Sequence, residues 1–264
     1  MEIWTASNQK GGVGKTTTVV SLAGVLAQAG KRVLMVDMDP HGSLSCYFGL
    51  DPDDELPSVY DLFERFSLKQ PLAPKNLVHQ SGFENLHLLP STTALVTLEK
   101  RMGLKGGMGR VLKMAMNELR DDYDYVLVDT PPLLGVLLIN ALAASDKLLI
   151  PVQTEFLAMK GLERMMNTLR MLTQSLGQGV DYTVIPTMYD RRTHASTESL
   201  RLLRQQYHGS IWPAMIPIDT KFRDASKAGV PPPQFLSSSR GVRAYRSLVK
   251  YLVTHSAETS QQAV

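Results

Sequence analysis

One cysteine, Cys46, occurs in 264 residues, so no disulfide can close within the chain. An iron–sulfur cluster that takes two thiolates from each subunit is excluded on the same count. Long apolar runs are also missing: the greasiest stretch, "LLGVLLINALAA" at 133–144, is too short for a bilayer span. The opening "MEIWTASNQ" lacks a cationic stretch followed by an apolar run, so no secretory leader is expected and a reducing cytoplasm is the expected location. No internal repeat or low-complexity linker interrupts the chain. The proline-rich "GVPPPQF" at 229–235 is expected to be a rigid loop within one domain spanning 1–264, with a frayed tail at about 257–264.

Charge of one sign does not dominate. Lys and Arg number 28 against 25 Asp and Glu, a net +3 that names no partner. The distribution is uneven, because residues 181–264 hold 11 cations and 6 anions while residues 1–180 carry −2. Such asymmetry points weakly to an anionic surface. Apolar residues at 44% and charged residues at 20% are too apolar for disorder.

What is present is an alternation of two periods. Residues 2–7, "KRVLMVDMDP", "ENLHLLPS", "DYVLVDTPP", "DKLLIPV", "DYTVIPTMY" and "IWPAMIPI" read as strands, several of them near-continuous Val, Ile and Leu. Helical spacing appears in "KTTTVVSLAGVLAQAG", "GGMGRVLKMAMNELRDDY", "KGLERMMNTLRMLTQSLG", "STESLRLLRQQYH" and "RGVRAYRSLVKYLVTH". The expected fold is α/β, a mostly parallel twisted sheet with helices on both faces. Methionines on these helices are expected in the core or on a dimer face.

The chemistry begins at "NQKGGVGKTTT", residues 8–18. A strand, a tight turn through Gly11, Gly12, Val13 and Gly14, and a helix starting near Lys15 make a phosphate-binding loop, with backbone N–H groups aimed inward. Lys15 is placed to neutralise the β- and γ-phosphates of ATP, Thr16 to reach Mg²⁺, and Thr17 to reach the α-phosphate. The usual pattern wants glycine at position 9, and here Gln9 is followed by a second cation, Lys10. Pointing outward, Lys10 could act on a nucleotide held by another subunit, as an arginine finger does in trans. Asp37, Asp39 and Asp129 end strands on the same sheet edge, where carboxylates can hold Mg²⁺ or orient the attacking water. "LKGGMG" at 104–109 lacks the preceding strand and the Lys-Thr, and reads as a loop before a helix.

"KGGVGKTT" with "DMDP" and "DTPP" resembles the deviant Walker A ATPases, specifically the ParA/Soj branch with its MinD relatives. The likeness extends through residues 129–162, "TMYDRRT" at 187–193 and "SRG" at 239–241. It implies an ATP-sandwich homodimer in which Lys10 touches the partner's nucleotide. Asp39 then governs the hydrolytic water, with Asp37 and Asp129 around magnesium. It implies slow ATP hydrolysis stimulated by a ParB-like or other activating protein, and a nucleoid-associated or polar location. For nonspecific DNA the family's basic residues map onto Arg192 and Lys221, with Arg223 nearby, although Ile218 stands where arginine is common. No basic amphipathic tail follows the last helix, which disfavours a MinD-like membrane anchor. The first strand opens the chain, so a DNA-reading helix-turn-helix extension is not expected. Cargo positioning at polar chemotaxis arrays and a metabolic ATP-dependent ligase are the alternative readings.

Overall fold

Side chains of successive strand residues point to opposite faces of a sheet, and the core follows that period of two. The computed structural model describes residues 1–102, 108–176 and 179–262. In β2 (Val33–Asp37), Val33 and Met35 join one apolar cluster while Leu34 and Val36 join another on the opposite face. In β5 (Tyr125–Asp129), Val126 and Val128 go one way and Leu127 the other. Both strands are clad on both sides, which explains their unbroken apolar composition. Burying each such side chain contributes about 1.5–3 kcal/mol.

The sheet has seven strands: β1 (Glu2–Ala6), β2, β3 (His79–Phe83), β4 (Leu86–Leu89), β5, β6 (Lys147–Gln153) and β7 (Asp181–Thr187). Their order is β3-β4-β2-β5-β1-β6-β7, with only the β3–β4 pair antiparallel. Asp37 and Asp129 are register partners, and so are Ala6 and Asp129. The carboxyl ends of the three central strands, β2, β5 and β1, therefore lie side by side.

Helix α1 (Lys15–Gln28) and the last helix, α11 (Arg240–Gln262), cover one face. Beneath them Trp4, Leu22, Tyr245 and Leu248 share a cluster. Between them in chain order lie α2 (Ser43–Tyr47), α3 (Val59–Ser67), α4 (Leu95–Met102), α5 (Val111–Glu118), α6 (Val136–Ala144), α7 (Phe156–Leu176), α8 (His194–Gln206), α9 (Lys221–Ala228) and α10 (Pro232–Phe235). The opposite face is covered by α3, α5 and α6, whose Phe63, Leu112 and Leu137 are fully buried.

Several expectations change. "IWPAMIPI" is not a strand: it touches the sheet through two isolated bridges, Val184 with Ile211 and Tyr189 with Pro217. Pro213 and Pro217 lack the N–H a continuous ladder needs. "GVPPPQF" contains one helical turn, α10, seated against α1. A Cβ on Gly24 would come within 2.8 Å of Gln234 and 3.0 Å of Pro231. The final helix is assigned over Arg240–Gln262. Residues 104–107 of "LKGGMG" lie outside the described residues, and 108–110 form a short 3₁₀ turn. Met108, Met116, Met165 and Met166 are buried, whereas Met114 and Met171 are exposed.

Candidate nucleotide site

The loop between β1 and α1 is built for a guest. Gly12 and Gly14 have φ of 72° and 95°, left-handed values that cost a side chain dearly and glycine almost nothing. A Cβ on Gly11, Gly12 or Gly14 would meet nothing within 4 Å, so the loop borders open space. Val13 is buried, and its carbonyl accepts a hydrogen bond from the Thr187 hydroxyl at 2.9 Å, tying the loop to β7. Helix α1 starts from Gly14 without a side-chain cap, which leaves its first N–H groups to a ligand.

Lys15 is 9% exposed, and burial pulls its ammonium below the usual lysine range while Asp129 and Asp39 pull it back. The Thr16 hydroxyl donates to Asp129 Oδ2 at 2.5 Å. Asp129 Oδ1 is buried and has no partner among the described residues. Burial, then the neighbouring Asp37 charge, pushes the Asp129 carboxyl well above the carboxylate range. An orphaned, buried oxygen beside a threonine hydroxyl fits a hard divalent cation. No cluster of three or more metal-ligating side chains occurs among the described residues, and Mg²⁺ typically takes one or two carboxylates and fills its shell with phosphate and water.

Asp37 lies elsewhere in this logic. Its Oδ2 accepts from the Ser45 N–H and hydroxyl, both at 2.8 Å, and its Oδ1 from the Asp39 N–H at 3.1 Å. Both oxygens are engaged in holding α2 and the Asp39 turn, and burial raises this carboxyl too. Asp39 reaches the cleft, where its Oδ1 meets His41.

Lys10 is brought near the loop but not into it. Its ammonium forms an ion pair with Glu155, at the turn before α7. A Cβ on Gly161 of α7 would lie 3.7 Å from Lys10 Cβ, and Gln9 Nε2 donates to Thr168 Oγ1 at 2.9 Å. Both residues of the altered loop start therefore lean on α7.

The phosphate cleft has a volume of about 560 Å³ and is bordered by Gly11, Lys15, Thr16, Thr17, Asp39 and Tyr47. A second cleft of about 730 Å³ continues from it, sharing Gly14, Thr17, Met188, Phe222 and Ser226, and adds Pro217, Asp219 and Arg223. Its more apolar wall suits the base and sugar of a nucleotide. Sequence reading missed this half. The one available signal was the "TMYD" stretch, whose Met188 takes a left-handed φ of 53°.

The expected DNA contacts lie beyond that cleft and are already partnered. Arg192 forms a two-pronged pair with Asp190, at 2.9 and 2.7 Å, and Lys221 pairs with Asp224 at 3.0 Å. Arg223 lines the base-side cleft rather than joining them.

A strand–glycine loop–helix at the carboxyl edge of a parallel sheet, with Lys15, Thr16 and Asp129 converging, defines a P-loop ATPase. Residues 1–182 match the family described as AAA domain. The chain is 35% identical over 245 residues to the sporulation initiation inhibitor protein Soj of Bacillus subtilis, covering 92% of this chain and 95% of that protein. It is 32% identical to the chromosome partitioning protein ParA of Myxococcus xanthus, covering 94% and 86%. Among solved structures, cobyrinic acid a,c-diamide synthase from Mycobacterium smegmatis with bound ATP analog and magnesium superposes with a TM-score of 0.79. It is 32% identical, and 97% and 95% of the two chains are covered. The chain belongs to the ParA/Soj family. No helix among the described residues is long and apolar enough to cross a membrane.

Proposed function

We propose that the chain is an ATP-driven dimerising switch that partitions or positions cargo. The observation that carries this reading is the division between its two loop lysines. Lys15 is buried among carboxylates at the cradle, whereas Lys10 stands outside it, neutralised by Glu155. A cation kept beside a phosphate site but out of it supports a role toward a neighbour's phosphates.

In this reading Gly11, Gly12, Val13 and Gly14 offer backbone N–H groups to ATP, Lys15 takes the β- and γ-phosphates, and Thr17 the α-phosphate. Thr16 and Asp129 would hold Mg²⁺, which would supply neutralisation of the phosphates' negative charge. Asp37 steadies α2 and the Asp39 turn from behind. Asp39 orients the attacking water, and Lys10 leaves Glu155 to complete the partner's pocket. The assembled dimer then rides on nonspecific DNA through phosphate contacts from Arg192, Lys221 and Arg223, each released from its aspartate or cleft. A ParB-like or other activating protein ends the cycle.

Lys10→Ala tests the switch. It is expected to bind an ATP analogue normally yet remain monomeric by light scattering, while Asp39→Ala accumulates as a stable dimer with ATP. Normal dimerisation of Lys10→Ala would sink the reading.

The likeness to the Mycobacterium smegmatis synthase favours a second reading, an ATP-dependent ligase acting on a small carboxylate. Hydrolysis of ATP by the purified chain without any carboxylate substrate, accelerated by DNA together with a protein activator, separates the two.

A further inference from the structure

We infer that His41 is a positioning residue for the hydrolytic aspartate: its imidazole Nδ1–H holds one oxygen of Asp39 and leaves the other to the attacking water. This rests on the role given to Asp39 above.

The backbone on either side is already fixed. The Asp39 N–H donates to Asp37 Oδ1 at 3.1 Å, and its carbonyl accepts from the Gly42 N–H at 2.8 Å and the Ser91 hydroxyl at 2.6 Å. Gly42 has φ 61°, and a Cβ there would sit 2.7 Å from the Pro52 ring. What remains free is rotation of the Asp39 side chain. Its Oδ1 accepts the His41 backbone N–H at 3.0 Å, a turn bond that any residue but proline supplies. It also accepts from His41 Nδ1 at 2.8 Å, which only this side chain supplies. A carboxylate cannot donate, so Nδ1 carries the hydrogen. Among the described residues Oδ2 takes no hydrogen bond, and it is the oxygen left for water.

The second bond matters because Asp39 has a competing attraction. Lys15 lies close enough to feel its charge. An aspartate that swung onto Lys15 would neutralise the ammonium meant for phosphate and abandon the water. The imidazole is 81% exposed while the Asp39 side chain is 13% exposed, so the ring restrains the carboxylate from the solvent side without being part of the core. Truncating it therefore tests the bond rather than the fold.

Amide side chains separate the two ring nitrogens, since an Asn Nδ2 falls where His Nδ1 lies and a Gln Nε2 falls nearer the position of His Nε2. Phosphate release from Mg·ATP and affinity for a non-hydrolysable ATP analogue are measured on the full chain. His41→Ala is expected to lower kcat roughly fivefold, the worth of one modest hydrogen bond, with analogue affinity within about twofold. His41→Asn restores the rate and His41→Gln does not. Adding His41→Ala to Asp39→Ala costs nothing further. An unchanged rate in His41→Ala, an equal loss of analogue affinity, or rescue by Gln but not Asn overturns the inference. If Asp39→Ala hydrolyses ATP like the parent chain, the role of Asp39 itself falls. If Asp39→Ala is inactive and His41→Ala is normal, only the inference about His41 falls.

Discussion

Two charged regions of this molecule sit on neighbouring clefts and obey opposite rules. At the ends of β1, β2 and β5, Lys15, Asp37 and Asp129 are buried, and one oxygen of Asp129 has no partner among the described residues. Across residues 190–224 the arginines and lysines are exposed, and Arg192, Arg201 and Lys221 each hold a nearby carboxylate. The first region stores unmet electrostatic demand in a low-dielectric setting, and that demand is what a ligand answers. The second has met its demand locally, at little gain, because water screens exposed pairs. Charge count alone would have ranked the second region higher. Burial reverses the order.

The contrast can be broken most forcefully at Lys15. Lys15→Ala is expected to weaken ATP-analogue binding on the order of 100-fold, since it leaves buried charge unpaired, and calorimetric titration reads this directly. Retained affinity would remove the distinction between the regions. Asp129→Asn comes next, with loss of most of the Mg²⁺ dependence of that binding. The carboxyl of Asp129 is raised when no metal is present, so it holds a proton at lower pH and Mg²⁺ must displace it. Apparent Mg²⁺ affinity is therefore expected to strengthen as pH rises through that raised value and to weaken as pH falls, with proton release seen in buffers of different ionisation heat.

Smaller effects sharpen the boundary. A Cβ on Gly241 would fall 2.3 Å from the Phe222 ring. Gly241→Ala should push Phe222 toward the base-side cleft, lowering stability by about 1–3 kcal/mol in urea titration and nucleotide affinity several-fold. In the exposed region, Arg192→Ala should leave the urea unfolding midpoint unchanged. Asp190→Asn should strengthen binding to duplex DNA of arbitrary sequence by releasing Arg192, and Arg192→Glu with Lys221→Glu should abolish it. A flat response of the unmutated chain's binding to salt would remove DNA from the account.

Much of this was legible beforehand, and the reasons differ by element. β2, β5 and β6 announced themselves because both their faces are buried and admit only apolar residues. The loop was legible because glycine at left-handed positions followed by Lys-Thr is rarely accidental. β3, "HQSGF", escaped because an edge strand lying half in solvent carries no apolar run. Helix α3 escaped although Ser58 and Asp61 form a reciprocal cap at its start, a pattern that could have been read. "IWPAMIPI" misled because its apolar residues face the core without being hydrogen-bonded as a ladder. Glu155 as the counterion of Lys10, and Met188 and Phe222 beside the base-side cleft, depend on segments far apart in the chain. No local pattern encodes such meetings.

The Lys10–Glu155 pair has a consequence for reversibility. In the proposed dimer that ammonium exchanges one anion for another, a carboxylate of its own chain for a phosphate of its neighbour's nucleotide. Such a swap is close to balanced while the nucleotide carries its full charge, and becomes unfavourable once the terminal phosphate departs. In the proposed cycle Glu155 would then recapture the lysine once the activating partner has triggered hydrolysis, so the same ion pair that holds the resting state also resets it.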